Sequence, residues 1–372
     1  MKLTISKNIL LENLTNVVKA ISPKNIIPIL NGIMFELTDD GLYLLASDSD
    51  LTIKTFISKE KISKIEQTGT IIIQSKYIID IIRKMPNDEI NIEVVDGLKI
   101  RIYTETSQYN LNCLNSSDYP HITLEDAKTP ISISSELIKK MIKQTIFAVS
   151  IQESRPLLTG INLKINGNVL ECVATDSYRL AKKTIMLENA HPENIDIVIP
   201  GKNVQELDKI LGEDGNVEMH LFTNKVLFKY KNIIFQTNLL SGTYPNVNNL
   251  IPSDFEVIIN TNLNDYFSSI DRAALLTQSK DKNIVRMQTK DSILNISSYS
   301  SEIGKVEDQV MISKNTDKDI AISFSAKYMM EALRTLNDEE LLILLNNDSS
   351  PIILKSLKDE TLIQLILPIK TY

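Results

Sequence analysis

The sequence predicts an α+β protein in which one unit, two helices packed on antiparallel strands, occurs three times. Three observations predict it. A stretch near the start matches a later stretch without a gap. A strand, turn, lysine and short helix recur in that order three times. Each unit also opens with a helix that carries one apolar stripe.

The ungapped match sets "GIMFELTDDGLYLLASDS" (Gly32 to Ser49) against "GINLKINGNVLECVATDS" (Gly160 to Ser177). Gly32 falls on Gly160, Leu42 on Leu170, Ala46 on Ala174, Asp48 on Asp176 and Ser49 on Ser177. A third copy, "VRMQTKDSILNISSYSS" (Val285 to Ser301), keeps the alternation of apolar residues but loses the Asp. The recurring strand and helix read "TIIIQSKYIIDIIRKM" (Thr70 to Met85), "DIVIPGKNVQELDKIL" (Asp196 to Leu211) and "DIAISFSAKYMMEALRTL" (Asp319 to Leu336). "SSDYP" (Ser116 to Pro120) is answered by "SGTYP" (Ser241 to Pro245). The period is about 125 residues, which predicts domains over 1–127, 128–252 and 253–372.

The opening helix of the first unit is expected from Lys7 to Ile21, burying Leu10, Leu14, Val17 and Ile21. In the second, Ser134 is the expected N-cap of a helix that buries Leu137, Ile138, Met141, Ile142, Ile146 and Val149. Its other face carries Lys139, Lys140, Lys143 and Gln144, with no carboxylate. The third runs from Leu263 to Gln278 around Phe267, Ile270 and Ala274. Between helices the pattern is strand and hairpin, with Asp96-Gly97 as a turn inside Glu89 to Thr106.

Composition narrows the function. With 43% hydrophobic and 23% charged residues, the 372-residue chain reads as a globular protein of several domains. Its longest apolar runs, such as "LLILL" (Leu341 to Leu345), are too short to cross a bilayer, and the N-terminus does not read as a signal peptide. Cys113 and Cys172 form neither a disulfide framework nor a metal motif, so a reducing, cytoplasmic location is expected. The net charge of −7 leaves room for a local basic face. Candidates for it are Lys19, Lys76, Arg83, Lys84, Lys139, Lys140, Lys143, Lys202, Lys209, Arg272, Lys327 and Arg334. Contacts from such residues to phosphates would suit non-specific duplex binding.

Little in the sequence supports catalysis. Asp48 and Asp50 leave a strand end on one face and could hold a hard cation, with Asp176 as a counterpart. The simpler reading has Asp48 and Asp176 bonding backbone donors in a tight turn. His121, His191 and His220 stand apart without ligand spacing, in expected surface or loop roles. Cys172 alternates within a strand as a small core residue. No phosphate loop or nucleophile elbow occurs, so no enzyme activity, metal or other cofactor is expected.

Across the whole chain, "SPKNIIPILNGI" (Ser22 to Ile33), "ATDSYRLA" (Ala174 to Ala181), "SGTYP", "FSAKYM" (Phe324 to Met329) and "LILPIKTY" (Leu365 to Tyr372) resemble the bacterial DNA polymerase III beta subunit family of replicative sliding clamps. The resemblance implies a head-to-tail homodimeric ring around non-specific double-stranded DNA, lined by helices with sheets outside. It also implies partners that dock by peptide: the replicative polymerase, a clamp loader and other proteins with clamp-binding motifs.

By the same resemblance, the peptide groove takes Leu158, Thr175, Ser177, Tyr178, Arg179, Leu180, Pro245, Leu250, Ser325, Tyr328, Pro351, Leu365, Leu367, Pro368 and Ile369. Arg179 and the hydroxyls would orient an extended peptide. Lys24, Gln152 and Arg155 match duplex-contacting or neighbouring positions, joined by Lys76, Lys139, Lys140, Lys143 and Lys202 from the helix faces. The ring seam would pair Tyr109 and Leu111 with Leu275 and Leu276 of the second copy. The chain departs from the family pattern at Pro156-Leu157, Ser177-Tyr178, Asn249 and Ser325.

Overall fold

The computed structural model describes residues 1–86, 88–277 and 283–370. The helix end expected at Gln278, and the final Thr371 and Tyr372, lie outside the described residues. The chain forms two compact units, Met1–Glu136 with Glu206–Leu239, and Leu137–Gln205 with Leu240–Tyr372. The described residues hold six α-helices: α1 (Lys7–Val17), α2 (Ser75–Lys84), α3 (Ser135–Thr145), α4 (Gly201–Ile210), α5 (Leu263–Ala274) and α6 (Ala326–Leu333). Every named strand pair is antiparallel, as the α+β reading requires.

In the first unit, Lys2–Ser6 alternates half-buried and buried residues and lies between Ile62–Gln67 and Glu89–Asp96 in a five-stranded sheet. Leu3 and Ile5 thus reach the core, and α1 follows directly with Leu10, Leu14 and Val17 buried at helical spacing. Ile21, expected on that stripe, is extended and half-buried instead. The helix tightens into a 3-10 turn at Val18–Ala20, and Pro23 disfavours helix just beyond. The Glu89–Tyr103 hairpin turns at Gly97, whose φ of 50° is the left-handed conformation glycine takes without cost.

The other sheet of this unit has eight strands from two repeats. Leu51–Ser58 pairs with Ile233–Asn238, from Thr55 opposite Ile233 to Leu51 opposite Thr237, so the sheet crosses the expected domain boundary. His220 is buried in the strand Asn216–Leu221, which corrects the surface or loop role expected for it. Its Nδ1 accepts from the Ala127 amide at 3.0 Å, so the ring holds the connecting segment at Ala127.

In the second unit the same device recurs. Arg179–Met186 pairs with Leu362–Ile366, from Arg179 opposite Ile366 to Lys183 opposite Leu362, inside a twelve-stranded sheet. α5 buries Tyr266 and Ile270 here, while Phe267 is only half-buried. On α3, Ile138, Met141 and Ile142 are buried, but Leu137 is 40% exposed in the first turn. Gln144, expected on the polar face, is buried and donates to the Thr335 carbonyl at 3.5 Å. Nor is that face free of carboxylate, because Lys140 meets Asp359 at 2.9 Å from a distant turn.

The matched "DS" pair makes the same turn twice. Asp48 Oδ1 accepts from the amides of Asp50 and Leu51 at 3.0 and 2.8 Å. Asp176 Oδ1 accepts from those of Tyr178 and Arg179 at 2.9 and 3.0 Å. Ser49 and Ser177 sit at φ 78° and 77°, a region costly for a side chain. Ser49→Gly should therefore raise unfolding stability by about 0.5–1 kcal/mol, after allowing for the looser unfolded chain. A higher denaturant midpoint with unchanged slope would show it; a lower midpoint would contradict the strain argument.

Candidate functional site

The strand pair that joins the second and third repeats has two unlike faces. Leu180 and Leu365 stand opposite each other on one face, and their neighbours Ala181 and Gln364 point to the other. On the leucine face the chain leaves a cavity of about 550 Å³. It is walled by Leu157, Leu158, Leu180, Val247, Leu250, Leu365 and Leu367, with Pro156, Pro245 and Pro351 at its edges. Thr175, Ser177, Thr243, Arg155 and Arg179 supply its polar atoms. A mostly apolar wall with a few placed donors suits an extended peptide with large apolar side chains.

Local chemistry fixes that wall. Tyr244, from the recurring Tyr-Pro motif, is buried and its hydroxyl accepts from the Thr175 amide at 3.1 Å. Burial holds this phenol well above the usual tyrosine range. Thr175 Oγ1 donates to the Arg179 carbonyl at 2.6 Å and accepts from the Ser177 amide at 3.2 Å, closing the turn at the rim.

Most residues expected in the groove line this cavity: Leu158, Thr175, Ser177, Arg179, Leu180, Pro245, Leu250, Pro351, Leu365 and Leu367. Others do not. Tyr178 is 58% exposed outside the wall, and its carbonyl accepts from the Leu367 amide at 2.9 Å. Ser325 caps α6, its Oγ accepting from the Tyr328 amide at 3.5 Å. Tyr328 lies behind the wall, its ring 4.3 Å from the Arg179 guanidinium. Pro368 and Ile369 lead away, and the Ile369 amide donates to the Ser323 carbonyl at 2.7 Å.

Arg179 was expected to orient the peptide, yet its guanidinium is committed inside the protein. Nε donates to Asp176 Oδ2 at 3.0 Å, Nη1 pairs with Glu331, and Phe147 and Tyr328 flank the group. Arg155, grouped with the duplex-contacting positions, lines the cavity and donates from Nη1 to Ser177 Oγ at 2.9 Å. Sequence reasoning missed Pro156, Leu157, Thr243 and Val247 as wall residues. Their signal was positional: they flank Leu158 and the Tyr-Pro motif already singled out.

Lys24 and Gln152 occupy matching exposed loops, each amide donating to the serine two residues before it, at 3.2 and 3.0 Å. Lys76 and Lys202 are exposed in the first turns of α2 and α4, and Lys143 is exposed on α3. Lys139 is half-buried, and Lys140 is engaged by Asp359. Among the wider set of basic residues, Arg83, Lys209 and Arg272 have carboxylate partners in Asp80, Glu206 and Asp308.

In the first unit, Tyr109 and the half-buried Leu111 lie on Gln108–Asn112, an edge strand of the five-stranded sheet. In the second, Leu275 follows α5 at 61% exposure, with Leu276 half-buried. Asp48 and Asp176 spend Oδ1 on their turns, and no group of three His, Cys, Asp or Glu suited to a metal occurs among the described residues. Burial pushes the Cys172 thiol up to about 12, against an opposing hydrogen bond with Thr145, in keeping with a core residue.

Comparison with known proteins covers the chain from end to end. Residues 1–123 match the family DNA polymerase III beta subunit, N-terminal domain; 132–246 match its central domain and 248–370 its C-terminal domain. The chain is 39% identical to the beta sliding clamp of Bacillus subtilis (strain 168) over 378 residues, covering 100% of both. It is 36% identical to that of Staphylococcus epidermidis (strain ATCC 12228), again over 100% of both. The crystal structure of the DNA polymerase sliding clamp from Bacillus subtilis aligns at a TM-score of 0.96 and 39% identity over 100% of both chains. The DNA polymerase III beta chain of Streptococcus pneumoniae TIGR4 aligns at 0.95 and 33%, with the same coverage.

Proposed function

The chain belongs to the DNA polymerase III beta subunit family, the beta sliding clamps, and we propose that it encircles duplex DNA as a head-to-tail homodimer and tethers the replicative polymerase. The observation that carries this reading is an apolar cavity of about 550 Å³ between the second and third of three clamp repeats. The clamp itself does no chemistry. A polymerase held at the cavity gains effective concentration at its template, and processivity follows.

Two copies would bring twelve α-helices to the ring, from the six described in each. Helices about 10 Å across give a perimeter of roughly 120 Å, which leaves an opening wider than a duplex. Lys24, Lys76, Lys139, Lys143, Lys202 and Gln152 are proposed to face DNA through weak, salt-screened contacts that permit sliding. Lys140 and Arg155 belong to the same proposal, although each already has a partner in Asp359 and Ser177.

The domain limits 1–127, 128–252 and 253–372 are proposed on the period of the repeat. Tyr109 and Leu111 are proposed to meet Leu275 and Leu276 of the second copy, since an edge strand needs covering. The cavity would serve the polymerase, the clamp loader and other clamp-binding proteins in turn. Tyr178, Ser325, Tyr328, Pro368 and Ile369 are proposed as its flanks. No helix among the described residues is long and apolar enough to cross a membrane, and a cytoplasmic location is proposed with the replication role.

The test is topological. Clamps loaded on a nicked circular plasmid should stay bound through gel filtration and be lost when a restriction enzyme linearises it. Equal retention on both forms would refute encirclement.

A further inference from the structure

We propose that Glu331, which does not line the cavity, is a positioning residue for partner binding: it sets the cavity rim through Arg179. The proposal rests on the reading of the cavity as the partner site. The connection is continuous. Glu331 pairs with Arg179 Nη1, and Arg179 Nε donates to Asp176 Oδ2 at 3.0 Å. Asp176 Oδ1 takes the amides of Tyr178 and Arg179, which holds Ser177 at φ 77°. Ser177 Oγ then accepts from Arg155 Nη1 at 2.9 Å, and both side chains line the cavity.

The molecule contains its own control. The first repeat builds the same turn, with Asp48 Oδ1 bonded to two amides and Ser49 at φ 78°. Leu51 stands there in the place of Arg179, and Asn238 braces that turn instead, its side-chain amide donating to the Ser49 carbonyl at 3.1 Å and its backbone amide to the Asp50 carbonyl at 2.9 Å. The turn therefore forms without an arginine at this position. What the second copy adds is a link from the rim to α6, made by a guanidinium that the Phe147 and Tyr328 rings hold in one orientation. Arg179 is buried and flanked in this way while Glu331 is half-buried, so loss of Glu331 takes a carboxylate partner from a largely desolvated guanidinium. Loss of that carboxylate leaves Asp176 as its remaining ion-pair partner among the described residues and shifts the balance at the turn, and with it Ser177 and Arg155.

The test measures binding of a fluorescein-labelled clamp-binding peptide of the replicative polymerase to the full-length dimer. Glu331→Gln should weaken binding by about tenfold, and Glu331→Asp, which keeps the charge, should bind within about threefold of the parent. In the background of Ser177→Gly, which removes the hydroxyl contact, Glu331→Gln should add less than about twofold, because both changes act on one rim. A Glu331→Gln affinity equal to the parent's, or a full tenfold loss in the Ser177→Gly background, would overturn the proposal. Leu367→Ala is measured alongside. Should it leave affinity intact, the cavity reading itself has failed, and that result is separate from the behaviour of Glu331.

Discussion

Leu365→Ala combined with Leu367→Ala should reduce affinity for a polymerase peptide by about a hundredfold or more while sparing the dimer. Each leucine contributes to the cavity wall, and each lost side-chain contact is worth about 1.5 kcal/mol or more when fully covered. The two changes differ in what else they do. Leu365 is also a buried member of the cluster formed with Leu158, Leu180, Tyr244 and Ile353, so its truncation should cost about 2–4 kcal/mol of stability. Leu367 is 38% exposed, and its truncation should leave stability within about 1 kcal/mol. Fluorescence anisotropy gives the affinity, and sedimentation should still report twice the chain mass of 42.0 kDa. Unchanged peptide affinity in the double variant would remove the cavity from the function.

Asp359→Ala should be among the most damaging single changes away from the cavity, at about 3–5 kcal/mol. Lys183 is buried on its strand and bonds both Asp359 oxygens at 2.8 and 2.7 Å, with Thr361 Oγ1 at 2.6 Å. Burial alone would raise the Asp359 carboxyl, but bonds from Lys183, Thr361 and Lys140 together hold it well below the usual range. Lys183 responds in the opposite sense: burial lowers it, against the pull of Asp359. The carboxylate thus gains from the cluster while the ammonium is held there at a cost. Lys183→Met should consequently cost less than about 1.5 kcal/mol, because an apolar chain fills the site and Lys140 still serves Asp359. Thermal melts of the two variants decide it; equal losses would refute this division.

The pH dependence follows from the depressed carboxyl. The unfolded chain binds this proton more readily, so the stabilisation is fully present above about pH 4 and is lost as pH falls below it. In Asp359→Ala that part of the acid sensitivity should be missing.

Much of the local structure was legible in the sequence because it depends on neighbours. Leu10, Leu14 and Val17 mark a helix by spacing alone, and Asp48 and Asp176 make their turns with amides two and three residues away. Apolar alternation marks strands, and a repeated pattern marks repeated units. The leucines of the cavity were reached through family likeness, and the geometry then brought ten of the expected groove residues to one wall.

Other features depended on partners far along the chain. Gln144 read as a surface residue, yet the Thr335 carbonyl lies against it. His220 read as isolated, yet the Ala127 amide needs its ring nitrogen. Lys140 read as a free cation on a helix face, and Arg179 as a hand for the peptide; Asp359 and Glu331 engage them both. By itself the sequence determined three α+β repeats, their helix faces and their turns, since those rest on periodicity and short-range bonds. Only the tertiary structure decided that Arg179–Met186 pairs with Leu362–Ile366, putting leucines on one side and ion pairs on the other. Strand register is a choice among distant segments, settled by which pairing buries Leu180 and Leu365 together and leaves no buried charge alone.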